Sequence, residues 1–222
     1  MNPMNFDRRA SLKLLSTAGL LTASSSALLF SDLYVSQANA EDLSDLMTMA
    51  PDENILGSKD APVTIIEYAS MTCGHCASFH DKIFPDIKKN YIDTGKAKLV
   101  FREFPVSVQD LRAIAAFMLA RCSDDDKYFP MIDVLFKQQA QWARAENPIP
   151  ILLNIAKLAG FTQESFNACL KNQEVMNTVL AVRNKAADDY GVSGTPTFFI
   201  NGKKQVGTVS VEEFSKLIDD AM

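Results

Sequence analysis

Histidine is scarce in this chain: 222 residues carry only two, His75 and His80. Neither a spaced histidine pair nor a second CxxC is present, so a zinc site built from the one existing CxxC lacks its other half. Positive charge is also short, with 22 Lys and Arg against 27 Asp and Glu, a net of −5. Nucleic acid, which wants a basic face, is a poor partner for such a chain. Beyond residue 40 no run of about 20 apolar residues occurs, which excludes a later membrane span of the usual helical kind. Tryptophan occurs once, as Trp142, on a polar-flanked stretch where core packing and a surface contact are both open. Internal repeats and low-complexity segments are absent.

The first 40 residues read as an export leader rather than as part of a fold. Arg8 and Arg9 give a basic start, an apolar Ser/Thr-rich run follows from about Leu14 to Phe30, and Ala38-Asn39-Ala40 is an A-x-A cleavage signal. Arg8-Arg9-Ala10-Ser11-Leu12-Lys13 resembles a twin-arginine signal, which points to bacterial export and a periplasmic destination. An uncleaved anchor is the alternative, but the run is short and interrupted by Ser, Thr and Gly. The mature chain is expected to begin at Glu41. Without the leader's three basic and two acidic residues, it holds 19 basic and 25 acidic ones, a net of −6. Its length suits one domain with a substantial core.

Residues 41–61 form a polar lead-in with Pro51 and Gly57. Val63 to Tyr68 is β-branched and aromatic and reads as a buried strand. Phe79, Ile83, Ile87 and Tyr91 then recur at helical spacing, with Pro85 expected to kink or break that helix near Phe84. Lys98 to Phe104 is a second strand, closed by Pro105. From Ser107 to about Asp189 the pattern is helical. Leu111, Ile114, Ala115, Met118, Leu119 and Cys122 share one helix face, and Phe129, Ile132, Leu135 and Phe136 share another. Pro148 and Pro150 mark a loop, and Ile151 to Ala159 is a helix stopped by Gly160. Strand character returns at Thr197 to Ile200. Asn201-Gly202 signals a hairpin to Lys203–Val206, and the box Ser210-x-x-Glu213 opens a closing helix.

Cys73-Gly74-His75-Cys76 lies where the first strand meets the first helix. Two thiols at this spacing can close and open as a disulfide. The first sits at a helix N-terminus, where unpaired N–H groups and the dipole favour a thiolate, so Cys73 is expected to have a depressed pKa. His75 would add to that effect. A stabilised thiolate stabilises the reduced form and makes the disulfide a stronger oxidant. Cys76, one turn deeper, would resolve mixed disulfides. A purely structural bond is the bland reading, but a two-residue gap restrains few unfolded conformations. A c-type haem site fails because Ala77, not histidine, follows Cys76. Met71 and Thr72 could border a substrate groove. The remaining cysteines, Cys122 and Cys169, fall on apolar helix faces. They are either buried free thiols or, as export favours, a structural disulfide closing a loop of roughly 47 residues and worth ~4 kcal/mol.

Far downstream, Gly191-Val192-Ser193-Gly194-Thr195-Pro196-Thr197-Phe198 leads into the returning strand. With the strand-CxxC-helix unit, the Thr195-Pro196 pair before a hairpin, the closing helix and the helical block between the halves, the chain resembles the thioredoxin superfamily and, within it, the DsbA-like thiol oxidoreductases. The resemblance covers about Pro62 to Met222. It implies an α/β thioredoxin fold over 62–106 and 190–222, with a helical insertion over 107–189. It also implies that Pro196 is a cis-proline beside the CxxC, against an ordinary trans-proline entering a strand. Thr195 would face the disulfide, tune it, and pair its backbone with an extended substrate segment. Glu67 would lie beneath the site and help move the proton of the buried cysteine; a carboxylate buried there would titrate high. The plain alternative is an exposed strand glutamate.

The function expected from these readings is a periplasmic enzyme donating its Cys73–Cys76 disulfide to exported proteins, without a bound cofactor or metal. The resemblance implies a membrane quinone-linked oxidase as reoxidising partner. The nearest rival is an isomerase or reductase kept reduced by a membrane electron donor; a non-catalytic metal carrier or peptide-binding module stands further off. Some DsbA-like isomerases oligomerise through a long N-terminal stalk. The short lead-in before Pro62, with little heptad pattern, favours a monomer.

Overall fold

The computed structural model describes residues 45–49 and 53–222. The expected leader, its cleavage signal and the start at Glu41 lie outside the described residues. Five strands form one sheet: β1 (Ile55–Leu56), β2 (Val63–Ala69), β3 (Ala97–Glu103), β4 (Thr197–Ile200) and β5 (Lys203–Val206), in the order β1-β3-β2-β4-β5. β2 runs parallel to β3, pairing Val63 with Ala97 through to Ala69 with Glu103, and antiparallel to β4, pairing Glu67 with Phe198. β4 and β5 form the hairpin announced by Asn201-Gly202, with both turn residues at positive φ.

β2 is buried along its whole length, because it has a strand on each side and cover on each face. The two-residue alternation divides its side chains. Val63 and Ile65 pack with Phe79, Phe198, Phe214 and Ile218 on one face. Ile66 and Tyr68 pack with Val100, Phe104 and Phe199 on the other. The same alternation places Glu67 on the first face, between Ile65 and Ala69 and under the helix that follows.

That helix, α1 (Gly74–Lys82), stops before Pro85, and a short turn α2 (Phe84–Ile87) takes the proline in its first positions. Proline is tolerated there because the first N–H groups of a helix have no internal partner. Among the described residues seven further α-helices follow, besides a π-helical turn over Lys88–Ile92 and a 3-10 turn over Asp125–Lys127: α3 (Leu111–Arg121), α4 (Tyr128–Lys137), α5 (Gln139–Trp142), α6 (Ile149–Leu158), α7 (Gln163–Leu170), α8 (Gln173–Asp188) and, after the hairpin, α9 (Val211–Asp219). The capping box opens α9: Ser210 Oγ accepts from Glu213 N at 3.2 Å and Glu213 Oε2 accepts from Ser210 N at 3.1 Å. Helices α3 to α7 share a core in which Phe117, Leu119, Leu135, Trp142, Leu152 and Phe166 are all fully buried.

Several expectations are corrected. The lead-in is not a loose polar stretch in its described part. Leu46 is fully buried, and β1 adds antiparallel to β3, with Ile55 opposite Val100. A two-residue strand carries no periodic signal, and its partner is distant in sequence. Arg102 Nη1 donates to Leu46 O and to the Tyr68 hydroxyl, both at 3.0 Å, and pins this segment. Gly57, at φ +100°, lies so close to the β3 start that an added Cβ would sit 2.8 Å from Ile92 Cγ2. Leu111, expected on a buried face, is 68% exposed, because it opens α3 before the core begins. Pro150 belongs to the first turn of α6 rather than to a loop. Trp142 resolves to the core, with Nε1 donating to Leu135 O at 2.9 Å.

Candidate active site

Cys73 is the N-cap of α1, in extended conformation at φ −81° and ψ 119°. A strand that ends at Ala69 and a helix that begins at Gly74 leave this residue at the junction, above the first free N–H groups of the helix. Cys73 is half-buried and Cys76 fully buried, and both are free thiols. The Cys73 thiol is lowered from an ordinary 9.0 to about 5. The largest cause is the hydrogen bond from the Cys76 thiol; Thr195 and the backbone N–H groups of Cys76 and His75 add to it, against desolvation. Cys76 is pushed strongly upward, first by burial, then by the Cys73 sulfur and the charge of Glu67. One helical turn thus separates a ready nucleophile from a thiol that holds its proton.

Thr195 and Pro196 stand opposite. Their peptide bond is cis, Pro196 is buried and Thr195 half-buried. Cys73 Sγ donates to Thr195 O at 3.4 Å. The Thr195 hydroxyl is buried and makes no hydrogen bond while Cys73 is a thiol; a Cys73 thiolate is the acceptor that its proton would serve, hence its place among the groups that lower Cys73.

Glu67 lies beneath Cys76 and is fully buried, so it is not an exposed strand residue. Its partner is one the sequence reading passed over. His80 Nε2 meets both carboxylate oxygens, each at 3.1 Å. His80 is buried, stacked on Phe136 of α4 with ring centroids 4.3 Å apart and planes 19° apart. The signal for this pair was available: His80 is four residues after Cys76 and one after Phe79, so all three fall on the helix face that meets the sheet.

His75, in contrast, is exposed and its side chain makes no hydrogen bond among the described residues; only its backbone N–H bears on Cys73. Met71 is fully buried and cannot border a groove. Thr72 is half-buried, and its hydroxyl donates to Asp110, which also caps α3 by accepting from Ala113 N at 3.0 Å. A clamp not foreseen comes from α5: Gln139 Nε2 donates to Met71 O at 2.8 Å and to Cys73 O at 2.9 Å. Cys122 and Cys169 are joined as a disulfide between the end of α3 and α7, with Cα atoms 6.1 Å apart.

Comparison with known proteins places this geometry. The family model described as thioredoxin matches residues 49–220. A relative from Rickettsia bellii, named as a protein-disulfide oxidoreductase, is 38% identical over 179 residues, covering 79% of this chain and 68% of its own. One from Rickettsia typhi is 35% identical over 199 residues. Across the Rickettsia relatives this chain spans between 63% and 72% of their length. Among solved structures, Wolbachia pipientis alpha-DsbA1 superposes with a TM-score of 0.74 at 33% identity, covering 80% of this chain and 94% of that one. Oxidised BdbD from Bacillus subtilis gives 0.66 at 25% identity, covering 76% of this chain and 92% of that one. With a thioredoxin sheet, a helical insertion between β3 and β4, and a CxxC at the strand-helix junction, the chain belongs to the DsbA-like thiol:disulfide oxidoreductases of the thioredoxin superfamily.

Proposed function

We propose that this protein is a periplasmic dithiol oxidase that transfers its Cys73–Cys76 disulfide to newly exported proteins. The observation that carries this reading is the asymmetry of the two thiols, one lowered to about 5 and the other raised. A folded structure that stabilises the Cys73 thiolate stabilises the reduced protein, and its disulfide is correspondingly eager to be reduced.

In the transfer, a substrate thiolate attacks Cys73 Sγ and the Cys73–Cys76 bond breaks. Cys76 leaves and takes up a proton, while Cys73 is held in a mixed disulfide. A second substrate thiolate then attacks the substrate sulfur of that bond. Cys73 leaves as a thiolate, which Thr195 and the N-terminus of α1 stabilise. The substrate is oxidised by two electrons and the protein reduced by two. Glu67 exchanges the Cys76 proton, Pro196 shapes the wall opposite Cys73, and the Thr195 backbone offers an edge to an extended substrate segment.

Export is supported by the leader-like residues 1–40 and by the Cys122–Cys169 disulfide, which belongs to an oxidising compartment. No helix among the described residues is long and apolar enough to cross a membrane. The reoxidising partner that the family resemblance implies is a quinone-linked membrane oxidase. The burial of Leu46 and the pairing of β1 with β3 support a monomer over an oligomer built on an N-terminal stalk. The reverse direction, isomerase or reductase, shares the reactive Cys73 and the Gly-His dipeptide. Trapping settles the direction. Cys76→Ser should accumulate mixed disulfides with many exported proteins, and the wild type should be mostly oxidised in the periplasm. Mostly reduced protein would assign it to the isomerase or reductase class, and no mixed disulfides at all would remove both.

A further inference from the structure

Cys76 presents a problem of proton supply. It is fully buried, and during a mixed disulfide the substrate covers the Cys73 side. The proton that Cys76 gains or loses has to travel through the interior. Glu67 is fully buried too, so it can hold that proton but does not itself reach bulk solvent.

The structure shows where the path continues. His80 Nε2 contacts both oxygens of Glu67, and the other ring nitrogen, Nδ1, makes no hydrogen bond among the described residues. The His80 ring lines a cleft of about 480 Å³ with Asp81, Phe84, Phe129, Ile132 and Lys137. Asp81 and Lys137, with Pro85 and Pro130, are exposed at its rim, so the cleft opens to solvent at the lower end of α1, away from its Cys73 end. An imidazole can accept a proton on one nitrogen and release one from the other, which suits it to the junction between a buried carboxyl and water.

We propose that His80 is the outlet of the proton path for Cys76, passing the proton between Glu67 and water in this cleft. It acts through Glu67 and is a positioning residue of the reaction, since it touches neither sulfur. The inference rests on the dithiol chemistry proposed above and gives it a second entrance. When the reduced protein meets a small disulfide, the Cys73 thiolate attacks it, forming a mixed disulfide and releasing one thiolate. Cys76 then gives its proton to Glu67, and His80 delivers a proton to the cleft. The Cys76 thiolate attacks Cys73 Sγ, closing the Cys73–Cys76 bond and expelling the second thiolate. Two electrons pass from the protein to the small disulfide, and the proton ends in solvent. The charged groups around the ring are Glu67 from β2, Asp81 from α1, Lys88 beyond α2, and Asp133 and Lys137 from α4. Asp133 pairs with Lys137 at 2.7 Å and Lys88 with Asp93; among the charged groups of the described residues, Glu67 is the one within hydrogen-bond distance of the ring.

The test uses glutathione disulfide and separates the two steps. Mixed-disulfide formation is timed in the Cys76→Ser protein with and without His80→Gln; resolution is timed with Cys76 in place. His80→Gln keeps a hydrogen-bonding group against Glu67 but cannot relay. It should leave formation unchanged, slow resolution about tenfold or more, and change the pH dependence of resolution. In His80→Ala, imidazole added to the buffer should enter the cleft and restore much of the resolution rate. Equal slowing of both steps, or an unchanged pH profile together with no imidazole rescue, would overturn the relay. A wild type that forms no mixed disulfide at all would instead defeat the underlying function, so the two failures are distinguishable.

Discussion

Among single side chains, the contrast between Cys73 and Cys76 has a thermodynamic reading. In the reduced folded protein Cys73 titrates at about 5, against 9.0 for an unperturbed thiol. A folded value below the unfolded one gives stability that is complete above pH 9, shrinks as pH falls, and is gone below about pH 5. The oxidised protein has no such thiol. The unfolding temperature of the reduced form should therefore rise relative to the oxidised form between pH 5 and 9, and the two curves should converge at pH 4 as far as this group is concerned. Thermal scans of both forms across that range would check it; parallel curves would deny the thiolate its role. Cys76, raised, stays a thiol in the folded protein, so it is silent at lower pH and opposes the trend only where the unfolded thiol begins to ionise, toward pH 9. Much at this level was readable in advance: the CxxC, the Thr195-Pro196 pair, and Glu67 as a lone carboxyl in an apolar strand. His80 was legible only as a member of the buried helix face with Cys76 and Phe79; nothing in its spacing names the carboxylate it meets on β2. His75 drew attention through adjacency to the cysteines, yet it faces solvent.

The elements around the site show which contacts spacing can reveal. β2, the hairpin and α9 are close-range structures, and alternation, Asn201-Gly202 and the Ser210-Glu213 box are local signals. β1 and the Gln139 clamp are not. β1 exists because Ile55 and Leu56 find β3, and α5, four residues long, exists chiefly to seat Trp142 and present Gln139. Replacing Gln139 by Leu leaves the Met71 carbonyl without its donor in a buried place and takes one of two donors from the Cys73 carbonyl, which keeps Ala77 N at 3.2 Å. It should cost about 1–3 kcal/mol and loosen the segment leading into α1, lowering the rate of thiol exchange while the fold persists. Denaturant unfolding and a reductase or oxidase assay, run side by side, would separate the two effects. Exchange as fast as wild type would show that α1 alone holds the loop.

Across the molecule, the insertion is bound to the sheet by more than apolar contact. Glu103, at the end of β3 and 1% exposed, accepts from Arg121 Nε and Nη2 at 2.7 and 2.8 Å and from the Tyr128 hydroxyl at 3.2 Å. One carboxylate thus joins a strand of the sheet to α3 and α4. Removing it takes the carboxylate away from a half-buried cation and from a buried phenol. Glu103→Ala should destabilise the protein by about 3 kcal/mol, toward the low end for broken buried pairs because Arg121 is partly open to solvent. Chemical denaturation would measure it; a loss below 1 kcal/mol would mean that the apolar core alone unites the two parts.

The distance along the chain between the parts of the site has its own consequence. Cys73 and Thr195 meet across 122 residues, and Glu67 is enclosed only when Phe198 of β4 lies beside it. A chain that has emerged only as far as the helical insertion carries both cysteines but lacks the wall that tunes them and the strand that shuts in their carboxyl. Its dithiol is then closer to an ordinary one. The complete set of groups around Cys73 is a property of the finished chain, acquired last, because Thr195 joins Cys76 and the N-terminus of α1 only when β4 is in place.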